Sequence, residues 1–282
     1  MKLISSSRIQ NSLEGVLFYS VLIPFTLLCL LPFIWTISTS FKSNDQVFSY
    51  PPQLIPAKPT LEGYVNVATD PQTLHTLFNS VWLTVVSVIV VVSLSAISGY
   101  AMSRFDYRGK SFLRIAILIT QMLPPVFVLV AYVQLVNALG IYNTYGGLLL
   151  GWCSFGVPFS TLILHGVFNA IPVELDEAAL IDGCNRIGAL FRVVLPCSLP
   201  GLLGAAAVMF VGIWGDLLLV LIMTRSKELW TLIVFLSSQV NLFNQFWNNL
   251  SVLALIASIP LVVLWILGQR YIISGMTAGL KK

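Results

Sequence analysis

Acidic residues cluster in one short stretch of an otherwise apolar chain, and this stretch is where the sequence could do chemistry. Residues 174–201 read ELDEAALIDGCNRIGALFRVVLPCSLPG. Three acids lie in the first turn after Pro172, where the fixed φ of proline and the helix dipole both favour the start of a helix. Gly183 is suited to end that helix because glycine tolerates a left-handed backbone. The pattern predicts two short helices hinged at Gly183, the second of which ends at Pro196.

The second predicted helix is amphipathic. Its apolar residues follow helical spacing and should share one face, away from its two arginines. These residues are Ile187, Leu190, Phe191 and Val194, with Arg186 and Arg192 nearer the other face. Helices that lie on a membrane surface are usually rich in Lys and Arg, whereas acids outnumber bases here. Docking to a protein partner is therefore favoured over an ordinary amphipathic loop on the membrane.

No enzyme motif accompanies this stretch. The sequence contains no G-x4-GK[ST] phosphate-binding loop, no HExxH and no G-x-S-x-G. Its four cysteines lack metal-ligand or disulfide spacing, and we interpret them as small apolar residues. We interpret His165 as a hydrogen-bonded interfacial side chain. The chain is predicted to have no catalytic site and to bind no metal or cofactor itself.

Asp216 is the one acid inside the apolar run of a predicted membrane span. An ionisable residue in such a place is a functional hypothesis by default. A wet helix end or a hydrogen bond between helices would explain Asp216 equally well, so the sequence leaves both interpretations open.

The composition is that of a polytopic membrane protein. Hydrophobic residues make up 57% of the 282, charged residues 9%, and the mean hydropathy is +0.90; a soluble domain has about 25% charged residues. The fold class predicted is therefore all-α and membrane-spanning, with lipid as a partner. The net charge of +4 reflects loop topology, because no basic patch with interleaved aromatic residues points to nucleic acid.

Six apolar runs have about the 20 residues that a membrane-spanning helix needs. They lie at about residues 15–37, 79–102, 112–136, 146–168, 199–223 and 250–267. The pair Pro124–Pro125 in the third run would free backbone carbonyls, which is tolerable only beside other helices or water. We assign one transmembrane domain, 1–282. Within it lie an N-terminal segment and first span at 1–38, a core at about 79–270, and a loop at 169–198, hereafter the signature loop.

Two polar segments, 38–78 and 224–249, are predicted to be external. The first should be extended and rich in turns, and the second carries aromatic residues. Positive charge sets the orientation, because Lys and Arg are enriched in cytoplasmic loops. Eleven of the 15 basic residues lie at the two termini, in the segment 104–114 or in the signature loop, and four lie in the two polar segments. Both termini and the signature loop are therefore predicted to be cytoplasmic.

The spacing within the signature loop is specific. Glu177-Ala178-Ala179 is followed after three residues by Gly183, and after nine more by Val193-Val194-Leu195-Pro196. This pattern, EAA-x3-G-x9-[IV]-x-LP, resembles the cytoplasmic loop of the permease subunits of binding-protein-dependent ABC importers. Similarity to carbohydrate-importer permeases of the maltose type covers nearly the whole chain, in the segments 99–105 with Gly109-Lys110, 121–124, 213–216 and 269–279. Val193 replaces the commoner Ile, and Gly215 stands where many members of the family carry Asn.

The resemblance implies a six-helix, type I ABC importer permease in a bacterial plasma membrane. Such a subunit forms half of a pore with a second, homologous permease, and works with an ATP-binding subunit dimer that holds ATP and Mg. An extracytoplasmic solute-binding protein delivers a sugar or sugar derivative. The resemblance implies that the signature loop couples to the ATPase through Glu177, Ala178, Ala179, Asp182, Gly183, Leu195 and Pro196. It offers Gln121, Trp214 and Asp216 as residues that line the pore or the substrate path.

Two alternatives remain at this stage. An ion-coupled secondary transporter of a small polar solute would also be polytopic, but such proteins generally carry several mid-membrane acids or histidines and internal repeats. A membrane scaffold would need no proline-broken spans. The resemblance also favours docking of the binding protein, rather than an interfacial belt, for the aromatic residues of the second external segment. These are Trp230, Phe243, Phe246 and Trp247.

Overall fold

The computed structural model describes the backbone of residues 3–240 and 246–277 and the side chains of residues 18–240 and 246–269. Over these residues the chain is helical and contains no strand. The helices are α1 (Leu3–Ser40), α2 (Asn44–Val47), α3 (Glu62–Thr69), α4 (Pro71–Arg104), α5 (Lys110–Met122), α6 (Pro125–Ala138), α7 (Tyr145–Asn169), α8 (Glu174–Ile181), α9 (Arg186–Ala189), α10 (Leu195–Cys197), α11 (Leu199–Trp214), α12 (Leu218–Met223), α13 (Leu232–Gln239) and α14 (Trp247–Thr277). A π-helical turn, Leu190–Val194, joins α9 to α10, and a 3-10 turn, Lys227–Leu229, precedes α13.

Among the described residues, four segments are long and apolar enough to cross a membrane unbroken. They are Phe18–Ser40, Pro71–Arg104, Tyr145–Asn169 and Trp247–Gln269. Two further segments qualify only as bent pairs, α5 with α6 at 103° and Arg186–Cys197 with α11 at 80°. Counting each bent pair as one span gives up to six. The predicted all-helical, membrane-spanning fold class is confirmed.

The third predicted span, 112–136, is not a straight helix. Leu123 and Pro124 both have extended backbones, with ψ of 132° and 124°, and α6 begins at Pro125. Each of these two residues precedes a proline, and the ring of a following proline disfavours the helical region. The two prolines therefore interrupt the helix, and α6 runs in a different direction from α5.

The fifth predicted span, 199–223, is also interrupted. Helix α11 ends at Trp214 and α12 begins at Leu218, with Gly215 as the C-cap of α11. Apolar length alone does not reveal such a break. The polar segments likewise contain helices that the sequence analysis did not predict: α2 and α3 in the first, and α13 in the second. Helix α4 begins at Pro71, eight residues before the predicted span.

The chain forms two units. Among the described residues, the larger comprises 71–238 and 257–277, and the smaller comprises 3–70, 239–240 and 246–256. In the larger unit, α4, α7 and α11 pack closely around buried residues that include Leu83, Val91, Leu148, Trp152 and Ile213. Glycine makes this approach possible, since a Cβ on Gly201 of α11 would lie 2.4 Å from Val167 Cγ1 of α7. The assignment of one domain stays a prediction.

The smaller unit is held by polar contacts of its own. The Ser40 and Tyr64 hydroxyls lie 2.8 Å apart, and Thr60 N donates to the Phe41 carbonyl at 2.9 Å. Lys42 is buried, donates to the Gln53 carbonyl, and places its ammonium 4.6 Å from the ring centroid of Trp35. The first polar segment is thus folded rather than merely extended.

Candidate coupling loop and cavity

Helix α8 has the beginning and the end that the sequence predicts. Three acids occupy its first turn, where they complement the helix dipole. Gly183 follows the C-cap with φ of +85°. Its N–H donates to the Leu180 carbonyl at 3.1 Å, and Cys184 N donates to the Ala179 carbonyl at 3.0 Å. This pair of bonds is a Schellman motif, which fixes the direction in which the chain leaves the helix.

The second helix of the signature loop has a side-chain cap and ends one residue later than predicted. It is capped by Asn185, whose Oδ1 accepts from Gly188 N at 2.7 Å. It does not end at Pro196 but continues to Cys197 through the widened turn Leu190–Val194. Pro196 has no N–H to give to the carbonyl four residues earlier, and the widened turn lies directly before it.

The apolar residues of this second helix do not share one face. Leu190 and Val194 are buried, whereas Ile187 and Phe191 are exposed. The buried stripe instead runs through Ala189, Leu190 and Val194, and two large apolar side chains are left at the surface.

The predicted coupling residues fall into an outward and an inward set. Glu177, Ala178, Asp182, Gly183 and Pro196 are exposed. Near them Ile181 is 86% exposed. Ala179 is buried and Leu195 is half-buried, so both support the loop from within. The outward set, together with Ile181, Ile187 and Phe191, makes a mixed acidic and apolar surface, hereafter the coupling face.

A buried ion pair fixes α8 to α4. Arg104 Nε lies 2.8 Å from Asp176 Oδ2, and the Tyr100 hydroxyl donates to Asp176 Oδ1 at 2.7 Å. Arg104 Nη2 also donates to the Ile171 carbonyl at 3.0 Å. In the sequence, Asp176 is only one of three first-turn acids and Arg104 only one of the basic residues that predict the topology, so neither is recognisable as an anchoring residue. The i, i+4 spacing of Tyr100 and Arg104 on α4 was the available clue.

Further contacts tie the end of α7 to the same place. Ser103 Oγ donates to Asn169 Oδ1 at 2.7 Å, and Asn169 Nδ2 lies 3.2 Å from His165 Nε2. His165 thus has a hydrogen-bond partner, as predicted. The Arg186 guanidinium lies 5.3 Å from the ring centroid of Phe105. The loop is therefore held to the ends of both long helices.

A cavity of about 280 Å³ opens beside Asp216. Its walls come from the end of α5, one face of α7 and one face of α11. The lining residues are Gln121, Trp152, Phe155, Gly156, Phe159, Val208, Met209, Gly212, Ile213 and Asp216. Two of the three residues offered as pore or substrate contacts, Gln121 and Asp216, thus meet at one cavity.

Asp216 lies in the break between α11 and α12. Its Oδ1 accepts from Leu219 N at 3.2 Å, and its Oδ2 accepts from the Trp152 indole at 2.9 Å. The carboxyl group therefore satisfies the first turn of α12 and joins it to α7. The hydrogen bond between helices that the sequence left open is present, and the same side chain also lines the cavity.

Trp214 lies elsewhere. It is 2% exposed, its indole donates to the Ala257 carbonyl of α14 at 2.9 Å, and its ring stacks on Phe210. Of the aromatic residues in the second polar segment, Trp230 is half-buried with the Lys227 ammonium 5.8 Å from its ring centroid. Phe246 and Trp247 are exposed. Phe243 and the tail beyond Thr277 lie outside the described residues.

Comparison with known proteins places the chain in a family. Residues 92–278 match the family described as binding-protein-dependent transport system inner membrane component. The chain is 34% identical over 277 residues to the trehalose/maltose transport system permease protein MalG of Thermococcus litoralis, covering 97% of this chain and 99% of that one. It is 33% identical over 251 residues to the sulfoquinovosyl glycerol transport system permease protein SmoH of Agrobacterium fabrum, covering 89% and 88%.

The fold has a solved counterpart. A chain of a bacterial ABC transporter involved in the import of the acidic polysaccharide alginate superposes with a TM-score of 0.83 and 22% sequence identity. The superposition covers 93% of this chain and 97% of that one. By its sequence, the chain belongs to the family of inner-membrane components of binding-protein-dependent transport systems.

Proposed function

We propose that this chain is one of the two membrane-spanning subunits of an ATP-driven sugar importer, and that its signature loop couples the pore to a separate ATPase. The family assignment favours an ATP-driven system over an ion-coupled transporter. The sugar class is supported by relatives whose names refer to trehalose, maltose and sulfoquinovosyl glycerol. A second, homologous permease completes the pore, and an extracytoplasmic protein delivers the sugar.

The observation that carries the coupling role is the exposed coupling face on a rigidly held loop. Glu177, Ala178 and Asp182 project from α8 while Asp176 of the same helix is locked to Arg104. Because the loop is fixed to α4, a partner that displaces its outer face would displace α4 as well. Small residues such as Ala178 allow a partner surface to approach closely.

ATP and Mg are assigned to the partner ATPase, since this sequence has no phosphate-binding loop. The orientation follows from charge: the signature loop carries Arg186 and Arg192, and it lies on the cytoplasmic side with both termini. The chain then forms half of the translocation pore and hydrolyses nothing itself.

Glu177→Lys in the reconstituted importer tests the coupling role. When an acid is desolvated against a basic partner, its removal costs the interface about 2–5 kcal/mol. We expect the variant to insert normally but to assemble weakly with the ATPase, or to leave ATP hydrolysis unresponsive to the loaded binding protein.

Glu174→Lys is the matched control. Glu174 is also an exposed acid in the first turn of α8, but it lies outside the spaced motif, and exposed pairs contribute only about 0–1 kcal/mol. Parental ATPase stimulation and uptake in Glu177→Lys would refute the coupling role. Equal loss in both variants would point to charge alone rather than to the motif.

A further inference from the structure

The α7 wall of the cavity is aromatic. Trp152, Phe155 and Phe159 lie at i, i+3 and i+7 and therefore share one face of the helix. Phe155 is half-buried and Phe159 is exposed, so their rings are open to a ligand. Flat aromatic surface packs well against the apolar C–H face of a sugar ring, which offers hydroxyl groups only around its edge.

The polar groups lie at the edge of this aromatic wall. A carboxylate has about four acceptor positions, and those of Asp216 receive the Trp152 indole and the backbone N–H groups of Leu218 and Leu219, which leaves an acceptor position for a ligand. Gln121 donates to Thr120 Oγ1 at 3.3 Å, and its carbonyl oxygen accepts no hydrogen bond from the described residues. Acceptors of this kind suit hydroxyl donors. A metal cation would instead need about six oxygen ligands, which these mostly apolar walls do not supply.

We propose that this subunit itself binds one pyranose ring of the transported sugar, in the cavity between α5, α7 and α11. The proposal rests on the sugar-importer function. The cavity volume of about 280 Å³ is just below the range of ligand pockets, about 300–1,000 Å³, so it suits one ring rather than an oligosaccharide. The site lies where α5 and α11 both end, and discontinuous membrane helices are where transporters bind their substrates.

Gly212 provides a way to fill the cavity without disturbing its walls. It lies on α11 among the lining residues, and a Cβ built there meets no atom within 4 Å. A larger side chain would therefore grow into open space. Gly166 offers a control of the same kind: it lies within α7, a Cβ there also meets no atom within 4 Å, and it does not line the cavity.

The test uses the importer reconstituted with its partner subunits and the series Gly212→Ala, Gly212→Val and Gly212→Leu. A panel of radiolabelled mono- and disaccharides, trehalose and maltose included, first identifies a sugar that the parental complex takes up. One misfit carbon in a specificity pocket already costs about tenfold or more. We expect uptake of that sugar to fall stepwise with side-chain size, by at least that factor for Leu, while the amount of assembled complex stays at the parental level.

A cysteine at position 212 allows a second measurement, which does not depend on filling the cavity with a larger side chain. In a variant whose native cysteines are replaced by serine, the same saturating sugar should slow modification of Gly212→Cys by a small thiol reagent. Modification of Gly166→Cys should not change.

The outcomes distinguish a failure of the ring site from a failure of the proposed importer function. If the Gly212 series transports like the matching Gly166 series and the sugar gives no protection, the ring site is wrong while the importer function stands. If the parental complex takes up no sugar of the panel, the importer function is wrong and the ring site falls with it.

Discussion

Arg104 Nε lies 2.8 Å from Asp176 Oδ2, and neither side chain has more than 2% of its surface exposed. This pair joins the last residue of α4 to the first turn of α8. Removing one partner of a buried pair leaves an uncompensated charge, which costs about 3–5 kcal/mol. We expect Asp176→Leu to lower the melting temperature of the purified complex and to abolish stimulation of ATP hydrolysis by the loaded binding protein.

Two controls accompany this variant. Arg104→Met combined with Asp176→Leu removes both charges and should recover most of the lost stability, because buried pairs are often replaceable by apolar residues. Asp106→Ala breaks the exposed pair between Lys110 and Asp106 and should change little. A single variant, Asp176→Leu, that is as stable as Asp106→Ala would show that the buried pair does not anchor the loop.

Gly183 gives a prediction that distinguishes backbone strain from a steric clash of the added side chain. Its φ is +85°, and a Cβ there would meet no atom within 4 Å. The cost of a side chain is therefore conformational, about 1–2 kcal/mol for an L-residue forced into the left-handed region. We expect Gly183→Val to reorient or loosen the second helix and to reduce ATPase stimulation.

Gly183→Asn is the informative companion, because Asn visits the left-handed region readily. It should keep most of the parental ATPase stimulation and uptake. Neither change should alter which sugar is recognised. Equal impairment of both variants would mean that a side chain at this position obstructs the partner surface, not that the turn is strained.

How far the sequence could predict this structure differs from element to element. The bounds of α7 and α8 follow from local signals, an apolar run between polar residues and a helix with acids at its start and Gly183 at its end. The bend before Pro125 also has a local signal, since two successive residues precede prolines. The apolar length of the segment nevertheless predicted one continuous span. The break after Trp214 depends on what Asp216 contacts, and that is not local.

The same distinction separates the site residues. Glu177 and Gly183 were recognisable from spacing alone. Asp176 was not, because its partner Arg104 lies 72 residues earlier in the chain. Trp152 was missed for a related reason: within an apolar run nothing marks the one aromatic residue whose indole reaches Asp216. Only packing of α7 against α11 brings that pair together.

The hydrogen bonds of the two buried tryptophans, Trp152 and Trp214, should differ in strength. Trp152 donates to the Asp216 carboxyl group, and Trp214 donates to the Ala257 carbonyl, both at 2.9 Å. A hydrogen bond to a charged group contributes about 1.5–3 kcal/mol and one to a neutral group about 0.5–1.5 kcal/mol. We expect Trp152→Phe to lower the melting temperature of the complex more than Trp214→Phe, and to reduce sugar uptake as well. Equal melting temperatures would indicate a neutral Asp216.

Thiol labelling in cells tests the orientation that the charge distribution predicts. Ile181 is 86% exposed and Ile55 is 81% exposed, so a cysteine at either position is open to reagent when the chain is expressed without its ATPase partner. In a chain whose native cysteines are replaced by serine, Ile181→Cys should react with a membrane-impermeant maleimide only after the membrane is opened. Ile55→Cys should react in intact cells, because segment 38–78 is predicted to be external. Since eleven basic residues stand against four, the expected pattern is unambiguous. Labelling of Ile181→Cys in intact cells would show that the topology is the inverse of the one predicted. The coupling face would then lie on the side where ATP is not available.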